Sequence, residues 1–142
     1  MTARMRTAVS TVGALLIAAS GAIHLHEWLA GYRSLPTIGP LFLAQAVTSF
    51  VLAAAVFASR RRLVMAGAAL FLLGTAAGYL VDVEVGLFGF QDTLANSWGQ
   101  ASLVVEGWGA LMLAVGVVGR SSTRPRSRRW HLHAAGTSRH QR

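Results

Sequence analysis

Residues 40–81 read PLFLAQAVTSFVLAAAVFASRRRLVMAGAALFLLGTAAGYLV, two apolar runs parted only by Arg60-Arg61-Arg62. Each run approaches the roughly 20 residues that a helix needs to cross about 30 Å of hydrocarbon. Three consecutive arginines are too costly to leave in lipid, so they mark a turn at a membrane face. Working outward, Thr7 to Ala30 and Trp98 to Gly119 supply two more such runs. The expectation is an all-α polytopic membrane protein, a four-transmembrane-helix bundle over residues 1–119 with spans at about 7–30, 40–59, 63–81 and 98–119. A disordered, Arg-rich cytoplasmic tail is expected over residues 120–142.

Composition agrees with that reading. With 54% hydrophobic residues, 13% charged residues and a mean hydropathy of +0.50, a chain of 142 residues is too apolar for an ordinary soluble domain. The net charge of +8 raises nucleic acid as a partner, but the basic residues lie at run boundaries and in the tail rather than across a folded surface, so nucleic acid is not expected. The absence of cysteine excludes thiol redox catalysis, disulfide exchange and thiolate metal sites.

Charge sets the expected orientation. Arg4 and Arg6 precede the first run, Arg60 to Arg62 separate the second from the third, and seven more arginines follow the fourth. Only Arg33 falls on the other side, together with every acidic residue: Glu27, Asp82, Glu84, Asp92 and Glu106. The positive-inside rule then places both termini in the cytoplasm and the chain in a bacterial cytoplasmic (inner) membrane as a multi-pass protein. Trp28, Tyr32, Tyr79 and Trp98 cluster near the outer boundary, where amphipathic rings prefer to sit. A cleaved signal peptide competes for the first run, because Met1 to Arg6 is basic and Ala18-Ala19-Ser20 resembles a cleavage site. The apolar stretch continues to Ala30, which favours retention as a helix.

Local signals refine the helices. Pro40 suits a first helical position, and Ser97-Trp98-Gly99-Gln100 fits a capping box before the fourth span. Helices in lipid associate through small residues more than through large apolar ones. Ala14, Ala18 and Ala22 with Gly21, the Gly74 to Gly78 GxxxG match, and the Ala110/Ala114 pair are therefore the expected seams, within one bundle or between two copies.

Depth singles out the candidate site. Counting about 1.5 Å per residue places Glu106 roughly 12 Å along the fourth helix, His24 about 9 Å and Glu27 about 4–5 Å below the outer boundary. Gln45 lies a similar short distance into the second span. A polar intramembrane pocket of His24, Glu27, Gln45 and Glu106 follows, with Asp82, Glu84 and Asp92 as its lid or rim. Such a cluster can orient helices as a hydrogen-bond network, hold a proton or solute, or bind a metal or cofactor, and the pattern leaves all three open. His24-Leu25-His26-Glu27 lacks the second histidine of the zinc-protease helix motif, and no metal ligand set is assigned. His24 and His26 share one helix, which disfavours bis-histidine haem in a single chain and leaves a dimeric or His/Met site open.

Outside the spans, Gly86-Leu87-Phe88-Gly89-Phe90 is expected to fold back on the interface. Arg124, Arg126, Arg128, Arg129 and Trp130 form a candidate contact with anionic lipid headgroups, in addition to the bilayer itself, while a protein partner or homodimer stays open.

Gly21-Ala22-Ile23-His24-Leu25-His26, Gly31-Tyr32-Arg33, Pro36-Thr37-Ile38-Gly39 and Gly86-Leu87-Phe88-Gly89-Phe90 together resemble a group of small four-helix integral membrane proteins of actinobacteria. The resemblance covers about residues 8–119 and implies the fold without an activity, so it supplies no catalytic residue. The functional expectation is a non-enzymatic accessory or interaction subunit with an outer-facing polar pocket. The alternatives are a small proton-linked or solute-conducting protein, and a membrane redox or metal-binding component.

Overall fold

A computed structural model describes residues 1–119. It is all-helical: α1 (Ala3–Ala30), a 3-10 turn (Tyr32–Ser34), α2 (Ile38–Ser59), α3 (Arg62–Val85) and α4 (Ser97–Val118). Each of the four long helices is long and apolar enough to cross a membrane. The tail expectations, including Arg124, Arg126, Arg128, Arg129 and Trp130, lie outside the described residues.

Helix ends depart from the sequence expectations for local reasons. α2 begins at Ile38, so Pro40 is its third residue rather than its first. The position is tolerated because amide groups in the first turn have no intrahelical acceptor. At α4 the cap is Asn96 rather than Ser97, its side chain accepting from the Trp98 amide at 3.0 Å. Gln100 donates to the Leu94 carbonyl instead of closing a capping box. α3 passes Val81 and continues to Val85 until Gly86, at φ 74°, ends it with its amide on the Asp82 carbonyl at 2.9 Å. Charge at Asp82 and Glu84 therefore does not stop the helix; the glycine does.

Along the bundle α1 packs on both α2 and α4, and α4 packs on α3, whereas the sequence neighbours α2 and α3 touch only slightly. Glycines set the close approaches. A Cβ on Gly21 would stand 2.8 Å from Ser49 Cβ and 3.2 Å from the Ala46 carbonyl oxygen, and one on Gly109 would stand 2.6 Å from Leu72 Cδ1. Gly74 and Gly78 have nothing within 4 Å of an added Cβ. Contrary to expectation, the GxxxG match on α3 is no seam of this bundle, and Ala22 and Ala114 are exposed. Ala14 and Ala110 do lie in the core.

The two ends of the bundle differ. Toward Arg60 to Arg62 it is packed dry, with Ile17, Val56, Met65, Leu72 and Leu113 at 0% exposure. Toward the acidic residues a cavity lies between α2 and α3, bridged by the Gln45–Thr75 hydrogen bond.

Candidate functional site

The cavity holds about 480 Å³. α2 contributes Leu41, Phe42 and Gln45; α3 contributes Phe71, Gly74, Thr75, Gly78, Tyr79 and Asp82; His24 and Glu27 of α1 and Ser102 of α4 form its back. Its roof is the α3–α4 connection, through Leu87, Phe88, Phe90 and Asp92.

The roof is tied down rather than loose. Leu87 and Phe90 exchange backbone hydrogen bonds of 2.7 and 2.9 Å around Phe88 and Gly89, whose φ values of 54° and 79° match a type I′ turn. Phe88 adopts a left-handed conformation that side chains ordinarily avoid, and it holds an exposed ring over the cavity mouth. Asp82 fastens the base of the turn: Oδ1 accepts from the Leu87 amide at 2.8 Å and Oδ2 from the Asp92 amide at 2.9 Å. Tyr79 donates to the Thr93 carbonyl at 3.0 Å.

Above α1, Asn96 joins two acids, donating to Glu27 Oε1 at 3.1 Å and to Asp92 Oδ2 at 3.0 Å. Tyr32 donates to the same Asp92 oxygen at 3.3 Å, stacks on Phe42 with ring centroids 4.8 Å apart, and meets Phe90 edge-on. Burial, reinforced by the charges of Asp92 and Glu27, holds the Tyr32 hydroxyl above its ordinary pKa, so it stays a donor.

Deeper, Glu106 is 1% exposed, and its Oε1 accepts from Ser20 at 2.8 Å and from Ser102 at 2.9 Å. Its Oε2 is buried without a hydrogen-bond partner. His24 Nδ1 stands 4.0 Å from Glu106 Oε1, too far for a hydrogen bond, and donates instead to the Ser20 carbonyl at 2.9 Å. Ser20, His24 and Glu27 follow one another at helical spacing down one face of α1, so a polar ladder descends from the roof to Glu106. Beneath it the dry core closes the bundle.

The four residues expected to share one pocket thus divide. His24, Glu27 and Gln45 line the cavity, Gln45 also donating to Thr75 Oγ1 at 2.6 Å, whereas Glu106 is outside the lining and sits on two serines. Of the expected rim, Asp82 and Asp92 line the cavity, whereas Glu84 is exposed and outside the lining. Asp82 is only 7% exposed, because it bonds inward to the turn instead of outward to water. His26 points away from the site and packs on Trp98, with ring centroids 4.3 Å apart. Among the described residues no three His, Asp or Glu side chains converge as a metal-holding group.

Ser20, Ser102, Asn96 and Tyr32 complete the site, and none of them was expected in it from sequence. Two of them carry a readable signal: Ser20 lies four residues before His24, and Ser102 four before Glu106. No family model, no curated protein and no solved structure matches the chain.

Proposed function

We propose that the chain is an integral protein of a bacterial cytoplasmic membrane with both termini cytoplasmic, of the kind its motifs resemble in actinobacteria. In this reading it acts as a binding or accessory subunit through a pocket that opens toward the outer face. One observation carries the reading: on each helix the residues nearer Arg60 to Arg62 than the cavity lining include a side chain at 0% exposure, Ile17, Val56, Met65 and Leu113. A conduit needs polar groups or water to continue to the far side, and here a closely packed apolar layer intervenes. The exclusion of arginine from the cavity end, apart from Arg33, supports the orientation.

A second reading, proton-linked transport, draws on a specific feature. Ser20, Ser102, His24 and Glu106 form a buried polar group that can hold a proton beside the cavity. Transport would require the apolar layer beneath to open.

Orientation has a direct test, since the chain contains no cysteine to remove. Ala95→Cys, at the roof, is expected to react with a membrane-impermeant thiol reagent in intact cells. Arg61→Cys is expected to react only after permeabilisation. The reverse pattern would invert the proposed topology and turn the pocket inward.

A further inference from the structure

The ligand class can be taken from the acceptors that the cavity leaves unused. Glu27 is 5% exposed and His24 7%, and both line the cavity. Glu27 spends Oε1 on Asn96; among the described residues its Oε2 meets no donor. His24 donates Nδ1–H to a carbonyl, which can only accept, so in the neutral imidazole Nε2 carries the lone pair, and it too meets no donor among the described residues. Two acceptors left open on cavity-lining residues within one turn of α1 suit a ligand that brings N–H or O–H groups.

Charge and lining narrow the choice. Glu27, Asp82 and Asp92 surround the cavity, no arginine lines it, and the remaining walls are largely aromatic and aliphatic. An anion would meet three carboxylates with only the His24 imidazole as a basic partner. A divalent cation would find one free carboxylate oxygen among phenyl rings, where it requires six or more oxygens. A quaternary ammonium suits aromatic walls but brings no N–H to Glu27 and His24. An aminophospholipid brings the ammonium together with a phosphate for which the lining has no arginine or lysine.

Resting on the reading of this cavity as a binding pocket, we propose that it takes a hydrophobic primary amine, whose ammonium donates to Glu27 Oε2 and His24 Nε2 while its apolar body lies against Phe71, Phe88 and Phe90. His24 and Glu27 are three residues apart on one helical face, so one nitrogen can reach both. The volume of about 480 Å³ falls within the roughly 300–1,000 Å³ typical of small-molecule pockets.

The test is calorimetric titration of the full chain in phosphatidylcholine nanodiscs, with empty nanodiscs subtracted, using 4-phenylbutylamine, its N,N,N-trimethyl analogue and 4-phenylbutyrate. The amine is expected to bind at one site, the trimethyl analogue at least tenfold more weakly, and the carboxylate not at all. Glu27→Gln is expected to weaken the amine at least tenfold, and Glu84→Gln, outside the lining, to leave it unchanged. Comparable binding of the trimethyl analogue or of the carboxylate would overturn the amine assignment while keeping the pocket. Binding of none of the three would overturn the pocket reading itself. Loss of amine binding when phosphatidylethanolamine is added to the discs would transfer the site to a lipid headgroup, against the proposal. The wild-type ligand series does not depend on any variant folding.

Discussion

Gly21→Leu is expected to destabilise the bundle by about 2–3 kcal/mol in reversible unfolding from mixed micelles, the usual scale of overpacking. The reason is what a side chain would meet. Already at Cβ it would lie 2.8 Å from Ser49 Cβ and 3.2 Å from the Ala46 carbonyl oxygen, and backbone cannot turn aside as a side-chain tip can. α1 and α2 would have to move apart, and with them His24 and Phe42, whose rings stand 5.2 Å apart in the cavity wall. Gly74→Ala and Gly78→Ala are the matched controls. Both sit in a GxxxG match, yet neither added Cβ has a neighbour within 4 Å, so each is expected to change stability by less than about 0.5 kcal/mol. A large loss at Gly74 or Gly78 with none at Gly21 would place the seam on α3 and contradict the packing described.

Glu106→Ala is expected to cost about 2–4 kcal/mol by the same assay, combining a cavity under His24 with the loss of the acceptor shared by two buried hydroxyls. The lower part of that range applies if Ser20 and Ser102 turn back to carbonyls of their own helices, which bonds between helices in membranes commonly permit. Glu106→Gln keeps an oxygen acceptor and the volume, so its expected cost is about 1 kcal/mol or less. The difference between the two substitutions measures the structural role of the carboxyl. Should Glu106→Gln leave the fold intact and abolish a pH-driven flux in proteoliposomes, the proton-linked reading would displace the binding one.

How much of this was legible in the sequence depends on the kind of information required. The four long helices show in residues 7–119 as long apolar runs, each long enough to cross a membrane, that Arg33 and Arg60 to Arg62 interrupt. Helix ends were less legible, since Asn96 and Gly86 act through cap geometry and hydropathy does not register it. Depth counting brings His24 and Glu106 to neighbouring levels, because rise per residue is nearly constant. It cannot say which way a helix is rotated, and so it does not show that the GxxxG glycines face a cavity rather than a helix. The roof was the hardest part. Asp82, Asp92, Asn96 and Tyr32 meet through the paths of two connections, and connections carry no periodicity from which a path can be read.

Cysteine accessibility tests the central claim, a pocket that opens at the acidic end and stops at a dry layer. Gly78→Cys lines the cavity with room for the thiol, whereas Ala68→Cys lies in the dry core at 0% exposure. A membrane-impermeant cationic thiosulfonate should modify Gly78→Cys from the outer face of intact cells, leave it unmodified in sealed inside-out vesicles, and spare Ala68→Cys in both. Modification of Gly78→Cys from the cytoplasmic side, or of Ala68→Cys from either side, would mean that the path runs through the bundle or faces the other way, and would contradict the account.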